Sequence, residues 1–309
     1  MVNQMEDSQS KPIRHSDEVS RALSDGTPVV ALESTVYSTL GLPAPQNREA
    51  VERSVAALSE RGATAAITAV IDGEFWCGVD TADIDRILTA NAKTAERDLA
   101  VAVGQGWPVG VTTVSASVAL AAASGVPVFA TGGIGGVHRQ FFDSLDESAD
   151  LGAIARHPVA TISAGAKSFL DLPATLERLE TLGVPVVGWQ ADSFPAFTAR
   201  SSGLPVPHTV SDLSTLAAVV ATQLGMNRGL LIANPVPESA ALDQQVHDVA
   251  LDDALSQAQR QGLTGPEVTP FILEAMAEAT EGRSVPANLA LLENNCRLAA
   301  DLARHLSDR

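Results

Sequence analysis

Short apolar runs alternate along this chain with stretches whose apolar positions recur every three or four residues. The runs fall at 28–32, 63–71, 99–103, 126–130, 159–163, 184–189 and 229–233. Each is brief, continuous and rich in Val, Ile, Leu and Ala, as expected of a strand covered by helices on both faces. Between them, residues 48–61 carry Val51, Val55, Ala56 and Leu58 on one helical face and lead to Gly62, where a left-handed residue closes a helix. Residues 175–182 lead to Gly183 in the same way, and two longer helical stretches, 242–261 and 270–281, follow the last run. Asp72-Gly73, between Ala69-Val70-Ile71 and Glu74-Phe75-Trp76, signals a hairpin and therefore an antiparallel pair. Residues 1–15 show no periodicity and read as a disordered polar tail. Residues 16–309 hold no internal repeat and no linker, and read as one α/β/α domain with a mixed, mostly parallel sheet.

Charge narrows the choice of partner. Lys and Arg number 20 against 37 Asp and Glu, a formal charge of −17, which argues against a surface that neutralises nucleic-acid phosphates or sits on an anionic membrane. A small phosphorylated ligand stays open, because a few local donors hold one. The two cysteines, Cys77 and Cys296, are too few for a disulfide scaffold or a thiolate zinc site. The first residues have no apolar core of the kind a signal peptide needs, and no stretch approaches the ~20 apolar residues of a spanning helix. A cytoplasmic protein acting on a small molecule is expected.

Ligands of open α/β sheets gather beyond the carboxyl ends of the strands. Reading past each run gives Glu33-Ser34-Thr35, Thr131 with the glycine run 132–136 and His138, Ala164-Gly165-Ala166-Lys167, and Asn234-Pro235. A lysine so near an apolar strand end is either an amine nucleophile, which needs a desolvated amine, or a side chain that reaches solvent or a phosphate. Glu33 is either a general acid with a raised pKa or a helix cap or ion-pair partner. The glycine run is not a dinucleotide fingerprint; it is an anion nest, a close backbone approach to a ligand, or a tight turn. Asp146, Glu147 and Asp150 are either hard ligands for Mg²⁺ or Mn²⁺ or the acidic first turn of a helix. His138 closes the glycine loop, whereas His15, His157, His208, His247 and His305 read as surface or loop residues.

Taken in order, Ala31-Leu32-Glu33-Ser34-Thr35, FATGGIGGVHR (129–139), Ser148-Ala149-Asp150, Ala164-Gly165-Ala166-Lys167, Phe194-Pro195-Ala196-Phe197, ANPVPE (233–238) and Thr269-Pro270-Phe271 carry a resemblance. The chain resembles the pseudouridine-5′-phosphate glycosidases, the indigoidine synthase A-like family, over roughly residues 16–305. That resemblance implies reversible cleavage of the carbon–carbon glycosidic bond of pseudouridine 5′-phosphate to uracil and ribose 5-phosphate, with Mn²⁺ or another divalent cation, in a homotrimer of three-layer α/β/α subunits. It implies Lys167 as the nucleophile forming an imine with carbon 1 of the opened sugar, and Glu33 as the general acid. Asp146 matches a metal ligand, and Lys93, Val114, Ser148, Ala149 and Asp150 match substrate contacts; His138 and Asn288 also fall on the pocket. Any kinase that supplies the phosphorylated substrate would be a separate protein. The chain departs from the family pattern where a Glu-His pair is replaced by Phe142-Asp143. It departs again after Glu33, where 35–43 has one residue more and the usual His-Gly is Leu40-Gly41. A Schiff-base lyase or transferase for another ribose-phosphate conjugate is the second reading, and a non-catalytic phosphosugar-binding protein the third.

Overall fold

One ten-stranded sheet runs through the chain. Its strands are β1 (Val29–Leu32), β2 (Thr64–Ile71), β3 (Glu74–Cys77), β4 (Lys93–Thr94), β5 (Val109–Thr112), β6 (Val128–Ala130), β7 (Ala160–Ser163), β8 (Val186–Trp189), β9 (His208–Val210) and β10 (Leu230–Ala233). The computed structural model describes residues 12–139, 141–263 and 268–308, with the side chains of Phe142, Asp143 and Pro270 outside the description. The strand order is β4-β5-β2-β1-β6-β7-β10-β8-β9, with β3 also bonded to β2. All pairings are parallel except β2 with β3 and β2 with β5.

The described helices are α1 (Asp17–Asp25), α2 (Gln46–Ser59), α3 (Ile84–Thr89), α4 (Leu99–Gly104), α5 (Val114–Ala123), α6 (Phe141–Ser144), α7 (Ala149–Arg156), α8 (Leu172–Thr181), α9 (Leu213–Gly225), α10 (Gln244–Gln261), α11 (Val268–Ala279) and α12 (Ser284–Ser307). Alternation along the strands divides them between two cores. Val30 and Leu32 of β1 enter the cluster shared with Leu58 of α2, Leu216 of α9 and Leu291 of α12. Val29 and Ala31 enter the opposite cluster, with Val19 of α1, Val118 of α5, Leu151 of α7 and Leu179 of α8. The expected three-layer α/β/α arrangement with a mixed sheet is therefore present. No described helix is long and apolar enough to cross a membrane.

Three expectations are corrected. Run 99–103 is helical, not extended: five apolar residues carry no reliable period, and the upstream turn favours a helix because the Ala95 N–H donates to the Asp98 carboxylate at 3.0 Å. Ordered chain begins before residue 16, since the Arg14 N–H donates to Phe75 O at 2.8 Å and Arg14 O accepts from the Cys77 N–H at 3.0 Å. Residues 1–11 of the expected tail lie outside the described residues. His247 is buried on α10 rather than displayed on the surface.

Candidate active site

β2 is long enough to serve two neighbours in succession. Its first half pairs with β1, from Val29↔Thr64 to Leu32↔Ile67. Its second half pairs antiparallel with β5, from Ala69↔Val111 to Ile71↔Val109. β1 and β5 thus run toward each other and their carboxyl ends meet beside Thr68. Buried hydroxyls fasten that junction. Ser34 Oγ accepts from the Thr112 N–H at 2.8 Å, Thr35 Oγ1 donates to Thr112 O at 2.7 Å, and Thr68 Oγ1 lies 2.8 Å from both Thr112 Oγ1 and Ser117 Oγ. Both chains must leave the sheet there, and a cleft of ~550 Å³ opens at that point.

All eight residues singled out from the sequence line this one cleft: Glu33, Lys93, Val114, Asp146, Ser148, Ala149, Asp150 and Lys167. His138 and Asn288 line it as well. Glu33 follows β1 and is only 8% exposed. Burial lifts its carboxyl from the usual 4.5 to about 7; the charges of Lys167 and Lys93 and a hydrogen bond from Thr131 Oγ1 hold it from rising further. Thr131 follows β6, and its carbonyl accepts from Asn295 Nδ2 of α12 at 2.7 Å, while Asn295 Oδ1 accepts from Asn234 Nδ2 at 2.9 Å.

Lys167 follows β7 and is half-buried. It arrives through Gly165, whose φ of +74° and close approach to the Pro195 carbonyl leave no room for a side chain. Segments 132–134 and 164–167 extend the β6–β7 pairing: Ala164 N–H donates to Gly132 O at 2.9 Å, Ile134 N–H to Gly165 O at 3.0 Å, and Lys167 N–H to Ile134 O at 3.1 Å. Lys93, on β4, lines the same cleft. Partial burial, reinforced by the nearby Lys167 charge, holds its ammonium below the ordinary lysine value.

The glycine run is neither a tight turn nor an open nest at Gly135, whose N–H donates to Asp150 Oδ2 at 2.9 Å. Its glycines serve close packing against the protein itself. A Cβ on Gly133 would stand 2.7 Å from the Phe197 ring, one on Gly135 would collide with Ser148, and one on Gly136 with Thr175. Asp150 Oδ1 accepts from the Ser115 N–H at 2.9 Å, so this buried carboxylate ties the loop to the first turn of α5. Ser148 caps α7, whose first turn holds Asp150. For Asp150 the helix-turn reading of the acidic cluster is therefore the one observed.

Glu147 is spent on Arg178, with Nε 2.8 Å from Oε1 and 3.0 Å from Oε2. The three carboxylates therefore do not converge, and among the described residues no group of three or more His, Cys, Asp and Glu side chains could hold a metal. Asp146 faces the cleft with Oδ2 3.7 Å from Nδ1 of His138. Burial lowers the His138 pKa against the pull of Asp146, which favours the neutral imidazole. This donor set suits a hard divalent ion only in the mode where one carboxylate is joined by water and substrate oxygens.

Sequence reasoning missed Thr131 as the partner of Glu33, because the contact spans 98 positions. It also missed Arg97 at the cleft wall, four positions beyond Lys93.

Comparison with known proteins adds the following. The family described as indigoidine synthase A like protein matches residues 18–305. A pseudouridine-5′-phosphate glycosidase of Sorangium cellulosum is 45% identical over 298 residues, 95% of this chain and 93% of that protein. One of Herpetosiphon aurantiacus is 47% identical over 290 residues, 93% and 95% of the two chains. A crystal structure of the prealnumycin C-glycosynthase AlnA in complex with ribulose 5-phosphate superposes with a TM-score of 0.88 at 34% identity, over 97% of this chain and 98% of that one. An indigoidine synthase A-like protein of Thermotoga maritima gives 0.83 at 33%, over 91% and 94%.

Proposed function

The chain belongs to the indigoidine synthase A-like family, and from that premise we propose that it cleaves the C–C glycosidic bond of pseudouridine 5′-phosphate to uracil and ribose 5-phosphate, reversibly. The observation that carries the reading is the convergence of the Lys167 amine and the buried Glu33 carboxyl in one cleft. The names of the relatives and the pentose phosphate bound by the C-glycosynthase support it.

A C–C glycosidic bond offers no leaving heteroatom, so the sugar must first be activated. The Lys167 nitrogen uses its lone pair to bond carbon 1 as the bond from carbon 1 to the ring oxygen breaks, and the ring oxygen takes the Glu33 proton. The new amine returns a proton to Glu33. Glu33 then protonates the uracil carbon that bears the sugar. The nitrogen lone pair forms a C=N bond to carbon 1, and the electrons of the breaking C–C bond restore the uracil double bond. Water adds to the protonated imine and releases the aldehyde of ribose 5-phosphate and the free lysine, the surplus proton returning to the Glu33 carboxylate, so one water is consumed per turnover. Lys93 provides positive charge for the phosphate, with Ser148, Ala149 and Asp150 framing the same wall. A divalent ion such as Mn²⁺, held by Asp146, would supply charge compensation and orientation for substrate oxygens.

Two measurements test this. Uracil released from pseudouridine 5′-phosphate in the presence of Mn²⁺ should be readily detected by chromatography and fall to background in Lys167→Ala. Borohydride reduction in the presence of ribose 5-phosphate should add the reduced pentose phosphate to Lys167 by mass spectrometry. No uracil, or an undiminished rate in Lys167→Ala, overturns the reading. The C-glycosynthase relative favours one alternative, the same imine chemistry with a different carbon nucleophile, which a panel of C-linked ribose phosphates separates.

A further inference from the structure

Next to the cleft lies a second cavity of ~450 Å³, between loop 39–43, α11 and the start of α12. The two spaces share the walls Leu40, Gly41, Phe197, Leu273 and Asn288, so they lie side by side with only these side chains between them. The first is already large enough for a nucleotide-sized ligand, since small-molecule sites begin at roughly 300 Å³. The second is therefore surplus to a uracil ring.

Its lining carries two unanswered groups. Thr198 Oγ1, in a residue 2% exposed, and Asn288 Oδ1, in a residue 7% exposed, are buried with no hydrogen-bond partner. Buried polar groups are normally paired; neither atom is open to the cavity as it stands, and Asn288 Oδ1 lies toward Gly132 of the first cleft, so a polar ligand group reaches them on rotation of these side chains. Around them the wall is apolar, formed by Leu42, Met276, Ala277 and Val285, and exposed Glu274 and Glu278 stand on it as well.

Resting on the proposed reaction, we infer that the base subsite continues past Asn288 into this cavity, so that the cleft accepts C-linked aglycones larger than uracil. The class is a planar heterocycle with a donor for Asn288, a polar atom for Thr198 and a neutral, apolar extension. Anionic substituents are disfavoured by Glu274 and Glu278.

The test compares pseudouridine 5′-phosphate with its N1-benzyl and N3-benzyl derivatives, in the unmodified protein and in Ala277→Phe. Ala277 lines the second cavity and not the first. At least one benzyl derivative should show kcat/KM within tenfold of the parent; Ala277→Phe should cut that value at least tenfold and change the parent less than twofold. Refusal of both derivatives by a hundredfold or more, or equal effects of Ala277→Phe on all substrates, overturns the inference. If the parent itself releases no uracil, the proposed reaction fails, and the cavity is judged by calorimetry with 1-benzyluracil and uracil. Tighter binding of the benzyl compound, lost in Ala277→Phe, upholds the extended subsite; equal or weaker binding ends it. Should Ala277→Phe not fold, Ala277→Leu carries the same comparison.

Discussion

Glu33 owes its chemistry to where β1 stops. Largely shielded from water, its carboxyl titrates at about 7, so it still holds a proton in a range where an ordinary glutamate has lost it. In the proposed role of general acid it would work in the protonated form, and uracil release should then fall as pH rises through about 7. Glu33→Gln should lower the rate roughly a hundred- to ten-thousandfold. Thr131→Val removes a hydrogen bond that favours the ionised carboxylate, so the alkaline limb of the pH–rate profile should move upward, and Thr131→Ser should restore it. Stability carries the same signature. Between 4.5 and about 7 this carboxyl is protonated in the native chain and ionised in the unfolded one. Its contribution is therefore full below that window and is lost as pH rises through it. Glu33 and Lys167 were legible because a charged residue at an apolar strand end is unusual in itself. Thr131 was not, since a threonine is common anywhere and its role is created by a contact between distant positions. His247 was misread because a histidine in a polar helical stretch carries no mark of the face it occupies.

The glycine loop and α7 depend on each other. Asp150 accepts from the amides of both Gly135 and Ser115, so one carboxylate holds the loop, the start of α7 and the start of α5 in a single arrangement. Gly135→Ala would drive a methyl into Ser148 and within 2.8 Å of Asp150 Oδ2. It should destabilise the fold by about 1–3 kcal/mol, read by denaturant titration, and raise KM for the sugar phosphate. Secondary structure was legible where an apolar run was long, as for β2, or where a helical periodicity closed on a left-handed glycine, as for α2 and Gly62. It failed at α4, whose five apolar residues fit either period. It also failed at β5, where Gly110 interrupts the run so that the backbone can pass Thr94. α12 escaped notice because Asn288 and Asn295, polar residues, sit on its buried face.

At the scale of the molecule, α12 lies against α2 and α9 and across β1, β6 and β7. Through Asn295 it reaches the carbonyl of Thr131, whose hydroxyl in turn serves Glu33. Asn295→Leu leaves that carbonyl and the Asn234 amide unpaired in the interior. At ~1–3 kcal/mol for each orphan, it should cost roughly 2–6 kcal/mol in a guanidinium melt and lower uracil release as well. The three-layer class could be read from alternating runs and helices. The strand order could not, because nothing local announces that β1 and β5 will converge on the middle of β2. The late position of α12 in the chain has a consequence for how the protein is made. During translation, the part of β1, β6 and β7 that α12 covers stays open until residues 284–307 have been synthesised. Every nascent chain therefore passes through an interval in which a broad apolar surface is open to neighbours. Association at that surface competes with its closure by α12, so the order of synthesis favours growing chains that stay apart.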